Sequence, residues 1–463
     1  MKTKNSNSLT RNMLTALVAG LFVGIAMLLL RERLNSSGNE AIWNTINNLL
    51  FADISAEGNE SAIGLFYIIG QLFVRAMQLV IVPMVFTSIV LAMIGIDDAS
   101  KLGRISTKTL LFFLSTTVFS VIFSALVGVA AYEIGAFTNT ASGLEGTTGT
   151  TATNPLMILI NAVPNNIAAA FSNNGGVLAI VVLAVVVGLA INKLQERIEI
   201  ITKICMEISD IITVVLQFVI TKFGPVAIFC LITRTCASYG VTYLKPALMY
   251  VVLTVLLLLF ILFFGYALFV WITTGLNPVI FVKKIAQVAL FGFSTSSSAA
   301  TLPLNLKIAE KDFGIDEDIA SFVLPLGMTI NMDGTAIMQV IAAIFIAGCA
   351  GYNVTLGSTI LIGLLVIVSS IGTPAAPGAG AVILFTVLSG MGYNNEMALM
   401  TYTLILAINR PIEMLVTALN VTGDTACALA VAKSENAVDL EAYNSRKISK
   451  EVPQVNENNV IAK

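Results

Sequence analysis

The sequence predicts an all-α membrane protein, and three observations support this fold class. Of its 463 residues, 57% are hydrophobic and only 11% are charged, against roughly 25% charged residues in an average soluble protein. Apolar runs of about 20 residues, the length of one helical bilayer crossing, recur along the chain. In the second half, polar residues fall in clusters that interrupt these runs, which is typical of membrane helices that surround a binding site.

The ionisable residues exclude several classes of function. With 25 basic and 27 acidic residues the net charge is −2, which excludes a nucleic-acid binder. The sequence has no histidine, so it offers no Ser-His or Cys-His nucleophile and no His-based zinc site. Its five cysteines lack C-x-x-C spacing, and we therefore expect neither a disulfide framework nor a metal cluster.

The first 273 residues predict six spanning helices. Their apolar runs lie near residues 13–30, 62–94, 107–132, 176–193, 204–235 and 246–273. The first run is long enough to span, and no small-residue cleavage site follows it, so we expect a retained helix rather than a signal peptide.

Basic residues predict the orientation of the chain, because cytoplasmic loops are enriched in Lys and Arg. They gather in residues 1–12 and again in 101–108, 193–203 and 283–284, whereas the loop 133–154 has none. We therefore expect a multi-pass protein with cytoplasmic termini. The short N-terminus without targeting features fits a bacterial inner membrane. The polar residues 434–463 predict a cytoplasmic tail without a fold of its own.

Two polar interruptions predict re-entrant helical hairpins. An apolar run from the basic 283–284 side reaches STSSSAATLP at residues 294–303, and a second polar stretch of the same side follows. The segment SSIGTPAAPGAGAV at residues 369–382 carries prolines and glycines that preclude a straight helix. The alternatives are a polar loop between ordinary helices at the first segment and a simple extracellular loop at the second.

The segment GMTINMDGT predicts an unwound helix. Asn331 and Asp333 would point about 200° apart on a continuous helix. If the helix unwinds at residues 332–334, their side chains and the carbonyl oxygens of Gly327 and Thr329 can converge on one hard cation. An aspartate that caps the following half-helix is the alternative.

The last predicted helix, residues 409–433, carries a polar stripe. Glu413, Thr417, Asn420 and Asp424 follow steps of 4, 3 and 4 residues and so share one helical face. The two carboxylates lie about 16 Å apart along the axis, so we expect them to bind different ligands, an ammonium group and a metal ion. A hydrogen-bonded packing seam is the alternative.

Four of these motifs together resemble those of the dicarboxylate/amino-acid:cation symporter family, the sodium-coupled carriers of glutamate, aspartate and neutral amino acids. The motifs are SSSAATLP, NMDGT, SIGTPAAPGAG and NVTGD, in the family's order. The resemblance implies eight transmembrane helices plus two re-entrant helical hairpins in an elevator-type homotrimer. Helices 1–6 would occupy residues 13–273 as the scaffold, with helices 3 and 6 moving with a transport core at 281–433.

The resemblance also implies Na⁺ as the coupling ion, held at three sites. One site would use the carbonyl oxygens of Gly327, Asn331 and Asn420 and the carboxylate of Asp424. A second would use the carbonyl oxygens of Thr329, Ser370, Ile371 and Thr373. A third would use the side chains of Thr116, Thr117, Asn331 and Asp333 with the carbonyl oxygen of Phe113.

The substrate site implied by the resemblance comes from both hairpins and helices 7 and 8. Its residues are Ser297, Ser298, Thr335, Ala376, Gly380, Glu413, Val416, Thr417 and Asn420. Glu413 stands where acidic-substrate members carry the aspartate that binds the α-amino group, and Val416 replaces the arginine that binds their side-chain carboxylate. Because an arginine fork is what stabilises a buried carboxylate, we expect a small neutral amino acid such as serine, threonine or alanine.

Other functions remain open from the sequence. The main alternative is an acidic amino-acid or dicarboxylate carrier that uses Arg410, although Arg410 is also placed to pair with Glu413 three residues later. An intramembrane aspartyl protease would use Asp333 and Asp424, but the first glycine of its GxGD pattern is missing. An ion channel is disfavoured by Glu413 and the two lid-like hairpins, so we expect a transporter and not an enzyme.

Overall fold

The computed structural model describes residues 3–55, 58–94, 103–137, 160, 163–172, 177–194, 198–239, 244–371, 373, 375 and 377–445. These residues are helical apart from loops and one isolated antiparallel bridge between Ile315 and Val438. Within them, eight helical stretches are long and apolar enough to cross a membrane: Arg11–Ser36, Leu65–Leu91, Arg104–Glu133, Glu199–Ser238, Lys245–Thr274, Pro278–Thr295, Glu317–Cys349 and Arg410–Ser434. The predicted all-α membrane fold is confirmed.

The first half contains the six predicted helices and two short ones that the sequence did not indicate. Its elements are α1 (Thr3–Ser36), α2 (Glu40–Leu50), α3 (Leu65–Leu79), α4 (Ile81–Ile94), α5 (Gly103–Glu133), α6 (Ile167–Phe171), α7 (Val177–Leu194), α8 (Glu199–Phe218), α9 (Gly224–Tyr239), α10 (Leu244–Phe260) and α11 (Tyr266–Thr274). Helix α1 packs along α9, and α4 packs against α7. The short helices α2 and α6 lie in segments without a spanning apolar run.

Three of the predicted helices are interrupted rather than continuous. The 62–94 run breaks at Val80, and Pro83 then lies in the first turn of α4, where its missing N–H costs least. One π-helical turn, Val219–Phe223, separates α8 from α9 just before Pro225. A second, Ile261–Gly265, separates α10 from α11. Such turns shift the register of the side chains that follow them.

The second half folds into paired helices. Its elements are α12 (Pro278–Thr295), α13 (Ser298–Lys311), α14 (Glu317–Ile330), α15 (Asp333–Cys349), α16 (Leu356–Ile371), α17 (Ala379–Gly390), α18 (Glu396–Ile408), α19 (Arg410–Ser434) and α20 (Leu440–Asn444). Helix α12 packs against α13, and α16 packs against α17, so both expected hairpins are present. The α14–α15 and α19 stretches are the most buried of the spans and form the centre of the core.

The last spanning helix agrees with its predicted bounds to within one residue. We expected residues 409–433, and α19 covers Arg410–Ser434 with Asn409 as its N-cap, while α18 ends just before Asn409. Pro411 lies in the first turn of α19 and has no N–H to continue the hydrogen bonding of α18. The break therefore has a local cause that is visible in the sequence.

The expectation of an unfolded C-terminal tail is wrong for its first residues. Val438 pairs with Ile315, and α20 follows at once, with Tyr443 fully buried. The buried Lys284 of α12 donates hydrogen bonds from Nζ to the carbonyl oxygens of Asp312 (2.6 Å) and Ala442 (2.8 Å). The tail residues 446–463 lie outside the described part.

We predict that Lys284→Met destabilises the protein, because it removes the donor for the buried carbonyl oxygen of Asp312 and the half-buried one of Ala442. The expected cost is about 1–3 kcal/mol, measured as a lower thermal unfolding temperature and faster proteolysis after residue 434. Lys283→Met is the matched control, since the Lys283 side chain is exposed. Equal stability of the two variants would contradict this role of Lys284.

Candidate functional site

The tips of the two hairpins meet at Ser297. This serine is the N-cap of α13, where its Oγ accepts a hydrogen bond from the backbone N–H of Ala300 at 3.2 Å. The same hydroxyl donates to the carbonyl oxygen of Ala375 in the second hairpin at 2.9 Å. Ser296 precedes it with a φ of 50°, so the first hairpin reverses in the left-handed region. Ser297 thus holds the tips together.

The break in the NMDGT segment begins one residue earlier than predicted and is one residue shorter. Helix α14 ends at Ile330, Asn331 and Met332 are non-helical, and Asp333 is already the first residue of α15. The expected unwinding at 332–334 is therefore corrected to 331–332. The physical result is the expected one, because the two non-helical residues bring Asn331 and Asp333 into one polar cluster.

Asp333 is a fully buried carboxylate with two side-chain donors. Thr117 of α5 donates from Oγ1 to Oδ1 at 2.5 Å, and Tyr266 of α11 donates from its hydroxyl to Oδ2 at 2.7 Å. Thr116, the neighbour of Thr117, donates to Asn331 Oδ1 at 3.2 Å. These contacts connect α5 and α11 to the break between α14 and α15.

Asp424 and Asn420 of α19 contact the other side of the break. The amide of Asn331 donates to Asp424 Oδ1 at 3.1 Å. The backbone N–H of Gly334 donates to Asn420 Oδ1 at 2.8 Å, and a Cβ at Gly334 would lie only 3.0 Å from that oxygen. The predicted polar stripe of α19 therefore faces the α14–α15 break.

Most of the carbonyl ligands inferred from the resemblance lie at helix ends, where carbonyl oxygens lack helical partners, whereas Phe113 and Asn420 lie inside α5 and α19. Thr329 is in the last turn of α14, and Ile371 is the last residue of α16. Three other oxygens already accept one hydrogen bond: that of Gly327 from Asn331 N–H (2.9 Å), that of Ser370 from Thr373 N–H (3.0 Å) and that of Phe113 from Thr116 Oγ1 (3.0 Å). A carbonyl oxygen has a second lone pair, so those of Gly327 and Ser370 remain able to bind a cation. Phe113 lies inside α5, and its carbonyl oxygen therefore also accepts a helical hydrogen bond.

A cavity of about 30 Å³ lies beside this cluster and between the hairpin tips. It is lined by Ser296, Ser298, Met332, Thr335, Met338, Thr373, Ala375, Gly378, Gly380, Glu413, Val416, Thr417 and Asn420. Seven of the nine expected substrate residues belong to this lining. Ser297 does not, because its hydroxyl joins the hairpin tips, and Ala376 lies outside the described residues.

Glu413 and Arg410 form a buried ion pair at the edge of the cavity. Arg410 Nη1 lies 3.5 Å from Glu413 Oε2, and both side chains are largely buried. The Nε of Arg410 is buried without a hydrogen-bond partner among the described residues. Val416, one turn further along α19, is buried and lines the cavity. The i, i+3 pairing expected from the sequence is therefore present.

Three polar groups of this region were not predicted as site residues from the sequence. Tyr266 binds Asp333, and a Cβ at Gly423 would lie 2.2 Å from its hydroxyl oxygen, so only glycine fits there. Tyr250 donates to Asn409 Oδ1 at 2.8 Å. Ser296 lines the cavity with a buried hydroxyl that has no partner in the described part of the chain. A tyrosine inside an apolar run was the available signal, since a buried phenol needs a partner.

The buried charges require compensation. In the residues that the structure describes, neither Asp333 nor Asp424 has an ion-pair partner, and no cluster of three or more His, Cys, Asp or Glu side chains is present. Carboxylate, amide, hydroxyl and carbonyl oxygens are the ligands of hard cations rather than of transition metals. The arrangement can thus bind an alkali cation next to a small cavity.

Comparisons with known proteins identify the family of the chain. The sequence profile of the sodium:dicarboxylate symporter family matches residues 9–434. The chain is 29% identical to the proton/glutamate-aspartate symporter of Escherichia coli, over 82% of this chain and 88% of that protein. It is 27% identical to an excitatory amino acid transporter of Caenorhabditis elegans, over 81% of this chain and 82% of that protein. It is also 27% identical to the C4-dicarboxylate transport protein of Deinococcus deserti, over 84% of this chain and 87% of that protein. The chain therefore belongs to the sodium:dicarboxylate symporter family.

Proposed function

We propose that this cation-coupled symporter uses inward sodium movement to take up an acidic amino acid or a C4-dicarboxylate, with Arg410 as the basic group of its site. The observation that carries the proposal is the buried Arg410 guanidinium, which pairs with the cavity-lining Glu413 and has one N–H unpartnered among the described residues. The relatives support it, since they are named for glutamate, aspartate or C4-dicarboxylates. This reverses our preference from the sequence, which was a neutral substrate.

The Arg410–Glu413 pair suits a substrate that carries both charges. An acidic amino acid could exchange ion pairs with it, its ammonium group binding Glu413 and its side-chain carboxylate binding Arg410. The α-carboxylate would then bind Ser298, Asn420 and the unpartnered hydroxyl of Ser296. A C4-dicarboxylate lacks the ammonium group, and in that case Arg410 would keep Glu413 neutralised.

Sodium as the coupling ion is supported by the two unpaired carboxylates. A charged aspartate in the apolar core costs about 2.5–3.5 kcal/mol on insertion scales, and a bound cation at Asp333 or Asp424 would offset that cost. We propose the three oxygen-lined sites described above, with Asp424, Asp333 and the helix-end carbonyls of Thr329 and Ile371 as their principal ligands. The relatives include both proton- and sodium-coupled symporters.

A small neutral amino acid is the second candidate, and a specific observation favours it. Val416 occupies the cavity wall where acidic-substrate members are expected to present arginine, whereas Arg410 lies outside the lining. Thr335 and Thr417 offer hydroxyl groups to a serine or threonine substrate.

The organisation of the protein in the membrane is part of the same proposal. The scaffold would comprise residues 13–273 apart from the moving helices 3 and 6, and the transport core residues 281–433. We expect a homotrimer in a cell membrane, with cytoplasmic termini and an elevator-like movement of each transport core.

We predict that Asp424→Asn weakens sodium activation of uptake by about tenfold or more, because an amide cannot offset the charge of the ion. The measurement is uptake by proteoliposomes at increasing external sodium. Asp210→Asn is the matched control, since Asp210 is an exposed carboxylate of α8. Unchanged sodium activation in the Asp424 variant would remove this residue from the sodium site.

Uptake of labelled aspartate, succinate, serine and alanine, with and without an inward sodium gradient, distinguishes the two substrate classes. We expect sodium-driven uptake of aspartate or succinate. In Arg410→Gln, the KM for these acidic compounds should increase about tenfold or more. Arg410→Lys, which keeps the charge, should restore part of the affinity. Uptake of the neutral compounds alone would establish the second candidate instead.

Val416→Arg tests the alignment of the cavity. An arginine at this position should lower the KM for aspartate and impair any uptake of serine, because it places a second guanidinium in the cavity wall. The matched control is Val416→Met, which keeps an apolar side chain there. No change in the ratio of aspartate to serine uptake would show that residue 416 does not face the substrate side chain.

A further inference from the structure

A second, larger cavity lies away from the site described above. Its volume is about 420 Å³, and it is enclosed by the loop after α2 and by helices α3, α9 and α18. It shares no lining residue with the smaller cavity. Its polar lining includes two arginines, Arg75 and Arg234, and one carboxylate, that of Asp53. We call it the arginine cavity.

Arg234 is a buried lining residue of this cavity, and its guanidinium is held by neighbouring groups. More than nine-tenths of its surface is buried, Nε donates to the carbonyl oxygen of Phe51 at 2.8 Å, and Cζ lies 4.8 Å from the centre of the Tyr67 ring. These contacts hold the guanidinium in one orientation. Among the described residues, its two terminal nitrogens have no hydrogen-bond acceptor, so their donors remain available on the cavity side.

Arg75 lies in the middle of an apolar spanning helix. It is about 15 Å along α3 from Leu65, and it has no ion-pair or hydrogen-bond partner in the described part of the chain. A positively charged side chain inside the membrane costs free energy unless it faces water or a group of opposite charge. Charged residues in such positions mark binding sites or ion paths. Arg75 is exposed and belongs to the lining of the arginine cavity.

Asp53 does not neutralise both arginines. Its Oδ1 accepts hydrogen bonds from the backbone N–H of Ser55 at 2.8 Å and from Ser55 Oγ at 2.5 Å. Partial burial opposes ionisation, but these bonds, together with Tyr67 and the charge of Arg234, hold the pKa of Asp53 below its usual range. The carboxylate therefore stays ionised at neutral pH, and the lining carries a net charge of about +1 with two guanidinium groups.

We propose that the arginine cavity is a second binding site, independent of sodium, for a small organic carboxylate. Guanidinium groups bind carboxylates through paired N–H donors, and Arg234 is already oriented by Phe51 and Tyr67. Leu231, Leu399 and Met400 supply apolar surface for a carbon skeleton. A cavity of this size is within the range of small-molecule sites, whereas a single inorganic ion would leave most of it to water.

The location of the arginine cavity indicates a role in concentrating anionic compounds near the proposed transport site. The arginine cavity combines wall residues from α3 and α9 with residues of α18, the helix that leads directly into α19 and the proposed transport site. A positive cavity there raises the local concentration of anionic compounds. The proposal does not rest on the proposed substrate, because binding is measured without sodium and with the smaller cavity tested separately.

The test is equilibrium binding of labelled succinate to the purified full chain, in low-salt buffer free of sodium and other carboxylates. We expect saturable binding with one succinate per chain. Arg75→Gln should weaken it about tenfold, and Asp53→Asn should strengthen it, because that variant removes the competing carboxylate. Arg33→Gln is the matched control, since Arg33 is an exposed arginine of α1, and it should bind as the unchanged chain does.

Three results would overturn the proposal. One is unchanged succinate binding in Arg75→Gln. Another is displacement of succinate by an equal concentration of chloride, which would make the cavity an inorganic-anion site. The third is loss of sodium-free binding in Arg410→Gln together with its retention in Arg75→Gln, which would place the succinate in the smaller cavity. Binding that survives Arg410→Gln and weakens in Arg75→Gln supports the arginine cavity whatever the transported substrate is.

Discussion

The burial of Asp333 and Asp424 in the apolar core is the constraint on which the rest of the structure depends. Each carboxylate is almost completely removed from water, and an uncompensated charge there would be costly. The hydroxyl groups of Thr117 and Tyr266 and the amide of Asn331 donate hydrogen bonds to these carboxylates and offset part of that cost. Because these donors come from α5, α11 and the α14–α15 break, the same contacts that stabilise the charges also join the central helices. A bound coupling cation would offset the remaining cost of burying the two carboxylates.

Helix breaks make this arrangement possible. A continuous helix through Asn331 and Asp333 would direct their side chains apart, and the two non-helical residues between α14 and α15 remove that conflict. The π-helical turn before α11 immediately precedes Tyr266. At the first hairpin tip, the left-handed conformation of Ser296 lets Ser297 both cap α13 and bind the second hairpin. Backbone irregularity is concentrated where polar groups must converge, as expected inside a membrane.

Arginine placement separates two roles within one protein. Arg410 is paired with Glu413 beside the small cavity, so it belongs to a charge-balanced site. Arg75 and Arg234 face a larger cavity in which one carboxylate cannot neutralise both. In either place the guanidinium is tolerated in the membrane because a wet or polar cavity adjoins it. The positions of the arginines therefore indicate where anions can bind.

The sequence by itself determined the membrane fold, both hairpins and the polar stripe of α19, because apolar run length, Pro and Gly clusters and helical periodicity are local properties. It also indicated the Arg410–Glu413 pair and a break near Asp333, although that break was expected to begin one residue too late. Only the tertiary structure decided that Tyr266 binds Asp333, that Ser297 joins the hairpin tips, and that residues 435–445 fold onto Lys284. It alone placed Arg75 and Arg234 in the lining of one cavity. These contacts join residues far apart in the chain, and their energies depend on distances between helices that no local pattern specifies.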